Sequence, residues 1–199
     1  MDSNIIKNPA KPTNYTAQIT REFYRSAMTA LKAQRFSAIQ ERAPALIAMN
    51  CDREGVKDVR HVAYMLATCW HESRWSPIRE IKAKEDSDIW KMYQSKYWLT
   101  GYFGRGYVQL TWKKNYELWS KLTGVDLVTN PDAVLQPELS AMILVKGMNE
   151  GLFTNRKLSQ YINATTCDYF NARKTVNGTF HAKIIAGHAE KLLPLLCQI

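Results

Sequence analysis

Apolar positions recur along most of this chain at helical spacing. Residues 21–49 carry two such patterns, parted near residues 35–36, and Pro44 stands where it can interrupt the second. Residues 52–57 form a polar connector containing Gly55. Asp58 is placed to cap a helix running to about Ser73, with Val62, Met65, Leu66 and Cys69 on one face at i, i+3, i+4 and i+7. Pro77 stops any continuation. Residues 81–100 mix charged and aromatic side chains without a clean period, which predicts an irregular lobe or short helices. A further helix starts near residues 113–114 and reaches Leu122. Asn130-Pro131-Asp132 opens another. Pro137-Glu138 begins a long one to about Asn149, ended by Gly151. Leu139, Met142, Ile143, Leu144, Val145 and Met148 make that helix apolar on most sides, as suits a central position. The last helical patterns cover 156–173 and 180–193, with Val176-Asn177-Gly178 as the turn between them and Pro194 as the stop.

These elements predict a mainly α domain with little strand over residues 21–199, preceded by a polar N-terminal arm at 1–20 that contains Pro9 and Pro12. No internal repeat is present. A chain of 199 residues, 46% apolar and 23% charged, is large enough for a real core and is not disordered in composition. The first twenty residues hold no apolar leader segment, and the longest apolar runs are too short to span a bilayer. The expectation is a soluble monomer made in the cytoplasm, which needs outside help to reach any substrate beyond it. Cys51, Cys69, Cys167 and Cys197 show neither C-x-x-C nor zinc spacing, so no disulfide framework is expected and Cys69 reads as a buried thiol.

The net charge of +9 points to an acidic partner: cell wall, membrane surface or nucleic acid. Charge alone speaks for nucleic acid, since no recognisable binding module accompanies it. The basic, apolar segment with Lys183, Ile184, Ile185, Lys191, Leu192, Leu193, Leu195 and Leu196 is expected to pack into the core rather than disturb a membrane. No metal or other cofactor is called for. His71-Glu72 is not H-E-x-x-H, because position 75 is Trp, and Gly104-Arg105-Gly106 is not a phosphate loop.

Glu72 continues the apolar stripe of the 58–73 helix and so stands where an apolar residue belongs. Burial raises a carboxyl pKa, and a carboxylic acid kept neutral near pH 7 can protonate a leaving oxygen. The bland alternative is a frayed helix end pairing with Arg74, Arg79 or a lysine. Glu80 lies eight residues on, roughly 12 Å along a continuous helix. The break at Pro77 lets the chain fold back and set the two carboxylates across a cleft. A gap of about 6.5–9.5 Å would suit an inverting glycosidase and about 5–5.5 Å a retaining one. Glu85, Asp86 and Asp88 compete with Glu80, or all four form a solvated acidic patch beside Lys82, Lys84 and Lys91.

The glycines at 101, 104 and 106 permit tight turns. Beyond them an extended segment would place Tyr107, Gln109 and Thr111 on one face and Val108, Leu110 and Trp112 on the other. The amide of Gln109 and the hydroxyl of Thr111 suit an acetamido sugar and a water. Arg105 is either an ion-pair partner for a catalytic Glu or a structural anchor.

Ala63-Tyr64-Met65-Leu66-Ala67-Thr68, His71-Glu72-Ser73, Pro77-Ile78-Arg79-Glu80, residues 102–112 and Asn115-Tyr116 resemble glycoside hydrolase family 19, in particular its phage endolysin and bacterial chitinase-like branch. The likeness continues through Gly124-Val125-Asp126-Leu127, Asn130-Pro131, Gly151-Leu152-Phe153-Thr154 and Asn171-Ala172-Arg173-Lys174-Thr175-Val176-Asn177-Gly178, and covers roughly residues 23–190. It implies a lysozyme-like helical fold with two lobes around a cleft. It also implies inverting, metal-free hydrolysis of β-1,4 bonds in N-acetylated sugar polymers. By motif position Glu72 is the general acid, Glu80 the matching general base, and Thr111 the hydroxyl that helps hold the attacking water. Gln109, Asn115 and Asn177 match substrate-contacting positions, and Tyr107 and Arg105 join them as candidate substrate contacts. The expected function is bacteriolytic cleavage of peptidoglycan by an endolysin, with a chitinase as the alternative.

Overall fold

The computed structural model describes residues 14–197. They form a mainly helical domain in which eight α-helices surround one another and a single two-stranded sheet lies at one side. Helix α1 (Arg21–Leu31) is capped by the Thr20 hydroxyl on the Phe23 N–H and buries Phe23, Ala27 and Leu31. Helix α2 (Ala38–Arg53) begins in a capping box of Ser37 and Gln40. Pro44, placed where it can interrupt this helix, does not do so. It sits buried within α2, where the missing N–H costs one ladder bond while the ring fills core space.

Helix α3 (Val59–Ser73) is the sheathed centre of the molecule. Thirteen of its fifteen residues are buried, Asp58 caps it through the Arg60 N–H, and α8 (Ala182–Leu192), α2 and α6 (Pro137–Glu150) pack around it. Helix α6 lies on α2 and ends at Gly151 in the left-handed conformation. Along the C-terminal segment Ile185, Ala189, Leu192, Leu193 and Leu196 enter the core, and no helix among the described residues is long and apolar enough to cross a membrane.

After Ser73 the chain reverses through two successive left-handed residues, Arg74 and Trp75. The fully buried Trp75 folds back under α3, its indole N–H on the Leu66 carbonyl at 2.9 Å and its ring among Phe23, Phe36 and Trp70. The chain thus turns before Pro77 is reached. Strand β1 (Ile78–Arg79) then pairs antiparallel with β2 (Arg105–Gly106). Between them lies the irregular lobe: α4 (Asp88–Met92), two 3-10 turns at Gln94–Lys96 and Trp98–Thr100, and loops. Helix α5 (Lys113–Thr123) follows β2.

Two expectations change. Residues 156–173 are not one helix: a 3-10 turn at Leu158–Gln160, an Ile162–Cys167 bridge and the short α7 (Tyr169–Ala172) replace it. The Asn163 side chain captures the N–H and hydroxyl of Thr165, offering the backbone a turn in place of helix. The end of the supposed arm is also docked: Tyr15 is buried, and Asp52 accepts from the N–H groups of Tyr15 and Thr16. Residues 1–13 of that arm lie outside the described residues.

Candidate active site

Glu72 sits in the last turn of α3, and its side chain is only 16% exposed. Its Oε1 lies 2.6 Å from Nη1 of Arg173, which is itself buried. The contact is ionic but off the hydrogen-bond axis, so neither atom counts a directed partner. Burial pushes the Glu72 carboxyl above the usual carboxylate range, and the Arg173 charge opposes this, followed by His181. The frayed-end alternative named Arg74, Arg79 or a lysine as partner. The actual partner arrives from the 3-10 turn Arg173–Thr175, a hundred residues away, and its Nε donates to the Phe180 carbonyl at 3.4 Å. His71 faces His181 with ring centroids 4.9 Å apart.

Glu80 follows β1 at the edge of the lobe. Its Oε1 accepts from Nε2 of Gln94 at 2.8 Å and from the Tyr97 hydroxyl at 2.7 Å, and its Oε2 accepts from the Gly104 N–H at 2.9 Å. The Glu80 N–H in turn donates to the Gly104 carbonyl. Gln94 is buried, and its own Oε1 accepts from the Ala83 N–H. Burial first, and then Glu80 beside it, push the Tyr97 phenol up, so it stays a neutral donor. A Cβ on residue 104 would come within 2.9 Å of Gln109 Oε1 and 3.1 Å of Glu80 Oε2, so glycine there leaves room for both side chains. Glu85, Asp86 and Asp88 are exposed, with Glu85 on Lys82.

The segment after β2 is not extended. Residues 106–109 form a turn closed by paired bonds between Arg105 and Leu110, with Gly106 and Gln109 both at positive φ. The alternation of faces expected from Tyr107 onward is therefore lost. Tyr107 points into the core and is fully buried, while its N–H donates to Ser140 Oγ at 2.6 Å. Gly106 packs against Ser140 and Val134, where a Cβ would clash at 2.5 Å. Arg105 is an anchor: its Nε donates to Asp132 at 2.7 Å, its Nη1 bonds the Gly101 and Phe103 carbonyls, and it lies over the Phe103 ring.

Gln109 remains half-buried, with Nε2 on the carbonyls of Ile78 and Gly106. The Thr111 hydroxyl donates to the Gln109 carbonyl at 2.9 Å, leaving its oxygen lone pairs free to accept. Asn115 tethers to the Thr111 carbonyl at 2.6 Å. Asn177 is exposed in the loop after Arg173 and accepts from the Gly178 N–H. The end of α3 meets the 106–109 turn through Ser73, the neighbour of Glu72, whose hydroxyl donates to the Tyr107 carbonyl at 3.2 Å. One turn thus stands between the helix end bearing Glu72 and the loop bearing Glu80. Arg173, Gln94 and Tyr97 were not singled out from sequence. Arg173 lay inside a quoted motif, whereas the two lobe residues carry no periodic signal.

This mainly helical, lysozyme-like frame, with one carboxyl desolvated at a helix end and another held by three donors beyond a glycine-bent turn, is that of a glycoside hydrolase. Residues 45–145, just over half of the chain, match the family model of glycoside hydrolase family 19, described as chitinase class I, and the chain belongs to that family. Glu72, Glu80, Gln109, Thr111 and Asn115 fall inside the matched segment; Arg173 and Asn177 fall outside it. Among solved structures the chain is similar to chitinase C from Streptomyces griseus HUT6037, at TM-score 0.53 and 18% identity over 95% of this chain and 72% of that one. A chitinase C mutant gives TM-score 0.54 and 17% identity over the same shares. These two likenesses are of fold. No curated protein matches the sequence.

Proposed function

We propose that this glycoside hydrolase is an endolysin-type peptidoglycan hydrolase that cuts β-1,4 bonds of the wall glycan with inversion. The observation that carries the mechanism is the unequal environment of the two carboxyls: Glu72 desolvated beside Arg173, Glu80 held by neutral donors. Two carboxyls whose surroundings differ in this way suit an acid and a base. Glu72, protonated, gives its proton to the glycosidic oxygen as the bond to the anomeric carbon breaks. A water attacks that carbon from the opposite face and passes a proton to Glu80. The Thr111 oxygen accepts a hydrogen from the water and helps aim it. Gln109, Asn115 and Asn177 contact the sugars. Tyr107 and Arg105, expected among the substrate contacts, are buried and support the turn that presents Gln109 and Thr111.

The charge of +9 supports an anionic wall as substrate and favours encounter with it. With this reading goes synthesis in the cytoplasm and release to the wall. The second reading, hydrolysis of chitin, is favoured by the chitinase family description and the chitinase neighbours. Turbidity loss of outer-membrane-stripped bacterial cells, set against sugar release from chitin, separates the two. Clearing of the cells is expected; release from chitin with no clearing at any pH would replace the first reading by the second.

A further inference from the structure

Five of the seven non-glycine residues with positive φ among the described residues are Arg74, Trp75, Gln109, Trp112 and His181, and all five border the two carboxylates in sequence or in space. Trp112 is the most unusual of them, at φ 76° and ψ 132°. A bulky aromatic held there is strained, a conformation that persists where the surroundings impose it and that clusters at functional sites. The strain does not serve burial. Trp112 stays 43% exposed, and its indole N–H has no hydrogen-bond partner among the described residues. Its ring meets Tyr97 edge to face at 5.2 Å, and the Tyr97 hydroxyl holds Glu80.

The Glu72 side has a counterpart. Phe180 is 78% exposed and packs on His181 at 3.8 Å. His181, also at positive φ, faces His71, the neighbour of Glu72. The Phe180 carbonyl receives the Arg173 guanidinium that pairs with Glu72. Each carboxyl is therefore linked through one inner ring system to an outer, solvent-facing aromatic ring: Glu80 through Tyr97 to Trp112, Glu72 through His71 and His181 to Phe180.

We infer that Trp112 and Phe180 are the sugar-stacking platforms on the two sides of the bond to be cut, built onto the groups that hold the base and the acid. A sugar ring presents an apolar C–H face that an exposed aromatic ring can cover, and the unpaired indole N–H of Trp112 offers one donor to a hydroxyl or acetamido oxygen. The inference rests on the glycosidase reading of this site and adds the residues that grip the chain.

The experiment measures kcat and KM on two soluble probes, peptide-free wall glycan strands and a hexamer of N-acetylglucosamine, using whichever the wild type cleaves. Trp112→Ala and Phe180→Ala are each expected to raise KM about tenfold, the loss of roughly one stacking contact, with kcat changed much less. Trp112→Phe and Phe180→Tyr, which keep a ring, restore most of the affinity. Trp112→Gly guards against a folding artefact: it relieves the positive φ, so its Tm is expected to stay at or above that of Trp112→Ala while KM still rises. Wild-type KM in both alanine variants would overturn the platforms while leaving the glycosidase in place. A wild type that releases product from neither probe would overturn both.

Discussion

The two carboxylates of this site are built by different means. Glu72 stands on a long, sheathed helix and is governed by burial against one buried guanidinium. Glu80 stands in an irregular lobe and is governed by three neutral donors, Gln94, Tyr97 and Gly104. Burial favours a proton on the first. Directed donors fix the orientation of the second. Under the proposed mechanism one region would tune protonation and the other aim, so substitutions on the two sides should fail in different ways.

The largest effect is expected at the acid. Glu72→Gln should lower hydrolysis by about 10²–10⁴ while folding and glycan binding persist. Unchanged turnover in a cell-clearing assay would remove the acid assignment. Glu80→Gln should lose a comparable factor, with Glu85→Gln near wild type because Glu85 lies in solvent on Lys82. A large loss at Glu85 instead would move the base. Next comes aim. Tyr97→Phe deletes one donor to Glu80 and should lower kcat about tenfold with KM little changed; an equal fall produced by unfolding would show as a lower Tm.

Tuning is tested at Arg173. The alkaline limb of the pH–rate profile follows loss of the acid's proton. Arg173→Gln removes the charge that opposes burial at Glu72, so that limb should move to higher pH while kcat drops; a limb that stays put or moves down contradicts the pairing. The smallest effect concerns stability. His71 is held well below the usual imidazole range, at about 4, by burial and then by His181, Arg173, Arg74 and His188. The folded state thus binds this proton less readily than the unfolded chain, so its contribution is intact above about pH 6.5 and is lost as the pH falls towards about 4. His71→Gln should flatten part of the Tm decline across that window in a thermal unfolding series.

Much of the fold was legible because its signals are local. The Asp58 cap, the stripe of Val62, Met65, Leu66 and Cys69, and the stop at Gly151 each depend on a few neighbouring residues. The family likeness and the stripe together brought out Glu72 and Glu80. What was missed depends on distant contacts. Arg173 meets Glu72 only because α8 and the turn before it pack back on α3. The alternation after Gly106 failed because Gln109 at positive φ resets which side the chain faces, sending Tyr107 inward. Sequence left open whether Pro44 breaks α2, and it does not because a buried ring offsets one lost ladder bond. Residues 156–173 were misread because Asn163 and Thr165 satisfy each other instead of a helix.

The four cysteines carry a last consequence. All are unpaired, and burial pushes the thiols of Cys51 and Cys69 well above the usual range. Such thiols are poor nucleophiles and are shielded from oxidants. The fold therefore needs no oxidising folding environment and no thiol exchange to mature. Cys51 and Cys69 should stay chemically unchanged in a reducing and in an oxidising medium, whereas the exposed Cys197 is open to oxidation.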